Sequence, residues 1–72
     1  MARDKILKQY LRRRFHITTK TDQTWSGVVL EVDAFTVRLH DAELINPDQT
    51  RTKADGQVFL PRQDIAYMQH AP

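Results

Sequence analysis

At Phe15 the hydrophobic period of the chain changes from 3.6 to 2, and that change restricts the fold more than any other feature. Before it, Ile6, Leu7, Tyr10 and Leu11 fall at i, i+1, i+4 and i+5, a single apolar stripe on a helix. Lys5, Lys8 and Arg12, with Gln9 beside them, fall on the opposite side. Asp4 suits the positive end of a helix dipole, and Arg12-Arg13-Arg14 suits the negative end. The spacing therefore predicts a helix over residues 3–14. After it, Phe15, Ile17 and Thr19 alternate with His16, Thr18 and Lys20, the pattern of a half-buried strand.

Four further strands follow the first. Thr24 to Val32 carries Trp25, Val28, Val29, Leu30 and Val32, with Gly27 inside it at a predicted bend, bulge or close backbone approach. Phe35 to His40 sets Val37 and Leu39 against Arg38 and His40. Residues 41–56 are polar and contain the turn signals Asn46-Pro47-Asp48 and Asp55-Gly56, which predicts a protruding hairpin or variable loop. Val58-Phe59-Leu60 is a fourth strand and Ile65 to Gln69 a fifth, joined by the tight connection Pro61-Arg62-Gln63-Asp64. The expected fold is mainly β: one domain over 1–72, with an N-terminal helix and a bent five-stranded antiparallel SH3-like barrel over about 15–70.

Seventy-two residues are few for such a barrel, since a chain this short buries only about 60% of its unfolded surface. Cysteine is absent, so neither disulfides nor thiolate metal sites can reinforce the fold, and self-association is the remaining common route. The lack of cysteine fits a reducing compartment. No apolar run approaches a membrane span and the N-terminus is not that of a signal peptide, so a cytoplasmic protein without membrane contact is expected.

Charge is distributed unevenly. Residues 1–20 hold seven Lys or Arg against one Asp, whereas residues 21–72 hold four against eight acidic residues. Such asymmetry suits a basic face that meets a polyanion, or a solvated amphipathic helix.

Catalysis has few candidates. Ser26 is the only serine, and no nucleophile–base arrangement can be read from spacing. His16, His40 and His70 lie 24 and 30 residues apart, unlike the local pairs of many zinc sites, and are read as surface histidines. Asp33 reads as a turn cap and Asp41 as a solvated carboxylate. Neither an enzyme nor a metal or cofactor site is expected.

The segment Gly27-Val28-Val29-Leu30-Glu31-Val32-Asp33-Ala34-Phe35-Thr36-Val37-Arg38-Leu39 resembles the first motif of the Sm family: a glycine, a hydrophobic strand, an aspartate six positions on, an aromatic two later and a second hydrophobic strand. Val58-Phe59-Leu60-Pro61-Arg62-Gln63-Asp64-Ile65-Ala66-Tyr67-Met68 is similar to the second motif in length and pattern. The Asp-x-Phe turn and the arginine cluster after Leu11 are closest to the bacterial Sm-like RNA chaperones of the Hfq type. Departures are Asp22 where that family has a glycine, Pro61-Arg62 where Hfq has Lys-His, and Gln23, Thr24 and Trp25 where Hfq lines its adenine-binding face, so poly(A) recognition does not carry over.

The resemblance implies a homo-oligomeric ring that binds single-stranded, U- or A/U-rich RNA, with RNA chaperone activity. It places Asp33, Phe35, Arg62 and Gln63 at a central pore, where Phe35 stacks on a base, Arg62 contacts base or phosphate and Asp33 shapes the turn. Subunits would meet through Val58, Phe59, Leu60, Ile65, Tyr67 and Met68. Lys5, Lys8, Gln9, Arg12 and Arg13 would form a second, less specific RNA surface. Two other readings stay open, an SH3-like protein-interaction module and a structural ring without RNA. Phe35 as a core aromatic is likewise open.

Overall fold

The structure, a computed structural model, describes residue 5 and residues 8–71. Six strands make one bent antiparallel sheet: β1 (Arg14–Thr19), β2 (Thr24–Val32), β3 (Thr36–Ile45), β4 (Arg51–Lys53), β5 (Val58–Pro61) and β6 (Ile65–His70). Their order is β4-β3-β2-β1-β6, with β5 also paired to β3. A 3₁₀ turn, Arg62–Asp64, joins β5 to β6.

Two expectations are corrected. The α-helix over 3–14 is not among the elements. Residues 1–4, 6 and 7 lie outside the described part. In the rest of that span, α-helical backbone is confined to Lys5, Lys8 and Gln9, the chain turns at Tyr10–Arg12, and Arg14 already opens β1. The cause is the sheet. The Arg12 amide donates to the Val29 carbonyl at 2.6 Å, and the Val29 amide donates to the Arg13 carbonyl at 3.0 Å. These bonds prolong the β1 ladder along β2 and hold Arg12 at φ 66°, outside the right-handed helical region.

The second correction is the strand count, six rather than five. Residues 41–56 contain the end of β3 and the whole of β4, which pair as Glu43↔Lys53, Leu44↔Thr52 and Ile45↔Arg51. Every residue of β4 is exposed, so no alternation marks it in the sequence.

Alternation does place the core. Phe15, Ile17 and Thr19 are buried while Arg14, His16 and Thr18 are half-buried. Ile17, Val29, Val37, Leu39 and Ala42 are almost fully enclosed, and Phe15 and Leu60 complete the cluster.

The bend has a local origin at Gly27. The β2–β3 register passes from Ser26↔Glu43 to Val28↔His40, so Gly27 alone faces Asp41 and Ala42. A bulge of this kind kinks the ladder and raises its twist. Asp41 takes the extra turn at φ 52°, a conformation Asp tolerates better than most residues. A Cβ on Gly27 would sit 3.2 Å from Leu39 Cβ and 3.4 Å from Ala42 Cα, so the close approach favours glycine and a side chain there would press on Leu39. A second register shift, between Val29 and Glu31, bends the pair again. After both bends, one half of β3 pairs with β5 and the other extends as the hairpin with β4.

Candidate nucleic-acid interface

The turn between β2 and β3 is fixed by its aspartate. Asp33 Oδ1 accepts from the backbone amides of Phe35 and Thr36, each at 2.8 Å, and the Asp33 amide donates to the Thr36 carbonyl at 3.0 Å. A carboxylate that accepts two backbone N–H groups is stabilised in its charged form. The Phe35 and Thr36 amides, with the Arg62 charge adding to them, hold the Asp33 carboxyl below its usual range.

The register Thr36↔Pro61 and Val37↔Leu60 brings the β5–β6 connection beside this turn. The Arg62 amide donates to the Phe35 carbonyl at 2.8 Å, and its guanidinium donates from Nη1 to the Asp33 carbonyl at 2.6 Å. Arg62 therefore clasps the two turns together. Phe35 projects from the apex and is 81% exposed, which rules out a core role for it. With Ala34, Thr36, Pro61, Arg62 and Gln63 it lines an open cleft of about 320 Å³.

Asp33, Phe35, Arg62 and Gln63, singled out from the sequence, thus gather in one place. Ala34, Thr36 and Pro61 join them and were not singled out. The signal available for Thr36 was its position one residue after Phe35 at the start of β3.

The other two groups lie elsewhere. Lys5, Lys8, Gln9, Arg12 and Arg13 are all exposed. No hydrogen bond or ion pair among the described residues links them to the Phe35 turn. Tyr10 packs its ring on Phe15 and His70, with centroids 6.1 and 5.0 Å away, and Leu11 packs against the core. Tyr10 and Leu11 thus cover one side of the sheet.

On the strands expected to meet a neighbour, Leu60 is 8% exposed and belongs to the chain's own core, while Val58, Ile65 and Met68 pack partly against it. Phe59 and Tyr67 point outward, 60% and 55% exposed. β5 pairs only with β3 and β6 only with β1, so each keeps one edge without a partner among the described residues.

Asp41 corrects a further expectation, because it is not simply solvated. Lys53 Nζ lies 3.3 Å from Oδ1 and Arg14 Nη2 lies 2.6 Å from Oδ2. Lys53 first and Arg14 second hold its carboxyl below the usual range, and the shorter Arg14 contact, shared with buried Ser26 at 2.9 Å, fixes its position over the bulge. With the Arg51–Glu43 pair at 3.6 Å, the basic residues of the hairpin are neutralised locally, which makes this face a poor polyanion surface. A separate cleft of about 460 Å³ lies between the β1–β2 and β3–β4 turns. Among the described residues no three His, Asp or Glu side chains gather in a metal-holding group, and no helix is long and apolar enough to cross a membrane.

No protein-family model matches the sequence, and no curated protein matches it. The fold has many solved counterparts. A heptameric archaeal Sm protein superposes with a TM-score of 0.85 at 17% identity, over 94% of this chain and 98% of that one. The P. aerophilum SmAP1 heptamer gives 0.89 at 16%, over 100% and 96%. The Sm protein of Pyrococcus abyssii, solved in complex with a uridine heptamer, gives 0.82 at 19%, over 93% and 94%. At these identities the similarity establishes the Sm fold.

Proposed function

We propose that this chain is an Sm-like subunit that assembles with copies of itself into a ring and binds single-stranded RNA at the Phe35 turn. The observation that carries the reading is Phe35 itself: a large aromatic, four-fifths exposed, on a turn held from both sides by Asp33 and Arg62. Exposing a phenylalanine forgoes its burial energy, and rigidifying the turn beneath it fits a stacking surface. Base–aromatic stacking contributes about 1–3 kcal/mol per base.

Assembly follows from the two edges. An exposed strand edge invites pairing; β4, β5 and β6 each keep one among the described residues, and of these β5 and β6 each carry an outward aromatic. Joining β5 of one copy to β6 of the next is a heterologous contact, which closes into a ring when the rotation fits. That two counterparts of the same fold are heptamers supports a closed ring. A ring presents several Phe35 turns to one strand, so modest contacts sum through effective concentration. U- and A/U-rich strands are the proposed ligands, in keeping with the uridine heptamer bound by one counterpart.

Lys8, Arg12 and Arg13, with Lys5 and Gln9, would add a salt-sensitive RNA surface, the part of the molecule on which Hfq-like chaperone activity would depend.

The test is a fluorescence-anisotropy titration of a short uridine-rich RNA at moderate salt, with Phe35→Ala in parallel. Submicromolar binding, weakened at least about tenfold by the substitution, is expected. Stable assembly with no binding up to high micromolar protein would sink the RNA reading and favour a structural or protein-interaction ring.

A further inference from the structure

An aspartyl or asparaginyl side chain can react with its own backbone when it is free to swing onto the next residue's amide and that amide is unhindered and unbonded. Almost every such pair among the described residues is tied down. The Gln23 amide, after Asp22, donates to Thr19 Oγ1 at 3.1 Å. The Gln49 amide, after Asp48, donates to the Asn46 carbonyl at 2.9 Å, and the Ile65 amide, after Asp64, donates to the Arg62 carbonyl. Asn46 precedes a proline, which has no N–H. Asp33 is held on the Phe35 and Thr36 amides, and Asp41 is held between Lys53 and Arg14.

Asp55 differs from all of these. It is exposed on the connection between β4 and β5, and its carboxylate has no hydrogen bond or ion pair among the described residues. The next residue is Gly56, the one glycine that follows an aspartate in the chain. The Gly56 amide makes no hydrogen bond among the described residues. Gly56 sits at φ 74°, a conformation natural to glycine, and a Cβ built on it would meet nothing within 4 Å.

We infer that Asp55-Gly56 is a site of spontaneous isoaspartyl formation, and therefore of carboxyl methylation by an isoaspartyl-repair methyltransferase. The Gly56 nitrogen attacks Cγ of the protonated Asp55 carboxyl. The N–Cγ bond forms, the Cγ–OH bond breaks, and the hydroxyl leaves as water with the amide proton. Water then opens the cyclic imide. Opening at Cγ restores aspartate, whereas opening at the Asp55 main-chain carbonyl leaves an isoaspartyl linkage, with one added methylene in the main chain and the carboxylate on Cα. That methylene falls between two anchors of the connection, the Ala54 amide on the Ala42 carbonyl at 2.9 Å and Arg38 Nη1 on the Gln57 carboxamide at 3.2 Å. Neither RNA nor ring assembly enters this chemistry.

The experiment ages the purified full chain for several weeks at neutral pH and physiological temperature, beside Asp55→Glu and Asp55→Asn. Isoaspartyl carboxyls are then labelled with an isoaspartyl methyltransferase and tritiated S-adenosylmethionine, and located by peptide chromatography with electron-transfer fragmentation. Wild type should accumulate label at Asp55, several-fold above any other aspartate. Asp55→Glu keeps the charge but requires a larger ring, so it should lose that label. Asp55→Asn should gain it faster, with ammonia as the leaving group, because a carboxamide is a better electrophile than a carboxylate. An unlabelled wild type, label concentrated at another aspartate, or a signal that survives in Asp55→Glu overturns the inference.

Discussion

The wall formed by β1, β2 and β3 and the edges formed by β5 and β6 are built from the same kinds of residue but treat them differently. On the wall, alternate side chains disappear into the core: β1 buries Phe15, Ile17 and Thr19 in strict succession, and β3 buries Val37, Leu39 and Ala42. On the edges only Leu60 is buried, and Phe59 and Tyr67 stand in solvent. The wall is complete within one chain, whereas β5 and β6 each keep one side without a neighbour among the described residues. Apolar patterning alone does not distinguish these two uses of a strand. The distinction arises from which strands find a neighbour on both sides.

Breaking the edges should have the largest consequence. Phe59→Lys combined with Tyr67→Lys places like charges on the two surfaces proposed to meet, at positions that the core does not use. The double variant should stay folded by circular dichroism, lose its assembled mass and lose most RNA affinity, since a lone subunit has no multivalent gain. An assembled double variant would move the subunit contact elsewhere. Breaking the wall should have a smaller and different effect. Gly27→Ala presses on Leu39, which must give by a few tenths of an ångström, a strain of about 1–3 kcal/mol that thermal unfolding should report as a lower Tm. An unchanged Tm would mean that the bulge accommodates a methyl group without help from its neighbours.

The smallest effect sharpens the comparison at the Phe35 turn. Asp33 is depressed below its ordinary value of 3.8 by the Phe35 and Thr36 amides. A folded-state pKa below the unfolded one adds stability above the unfolded pKa, and that contribution is lost as pH falls through the folded pKa. The Phe35 and Thr36 amide resonances should therefore titrate with a midpoint below 3.8, and in Asp33→Asn that transition should vanish while the acceptor oxygen remains. A midpoint above 3.8 would show that the cap is not formed in solution.

Much of this was legible in the sequence, and the gaps have physical causes. The strands of the wall follow from period-2 alternation, and Gly27 marked the bulge because a glycine inside a β-branched strand has little other reason to be there. The Asp33–Phe35 turn was found through its motif, since alternation alone left Phe35 equally suited to a core. The helix was mispredicted because its apolar spacing satisfies two structures. Tyr10 and Leu11 cover the barrel as well from a turn as from a helix, and the bonds of Arg12 and Arg13 to Val29 favour the turn. Such long-range backbone pairing leaves no trace in local sequence. The end of β3 did carry a weak signal, Ala42 and Leu44 between Asp41, Glu43 and Ile45, masked by its polar content. β4 had none. Asp41 was misjudged for a similar reason, because Arg14 and Lys53 reach it only once the bulge has formed.

The measurement that bears most directly on the comparison between wall and edges is the mass of the unmodified protein in solution, by light scattering behind size-exclusion chromatography. One chain weighs 8.5 kDa. Edges that pair head to tail and close predict a single species, several-fold heavier, whose mass does not change on dilution. A species of 8.5 kDa, or a ladder of masses that grows with concentration, would contradict the closed ring.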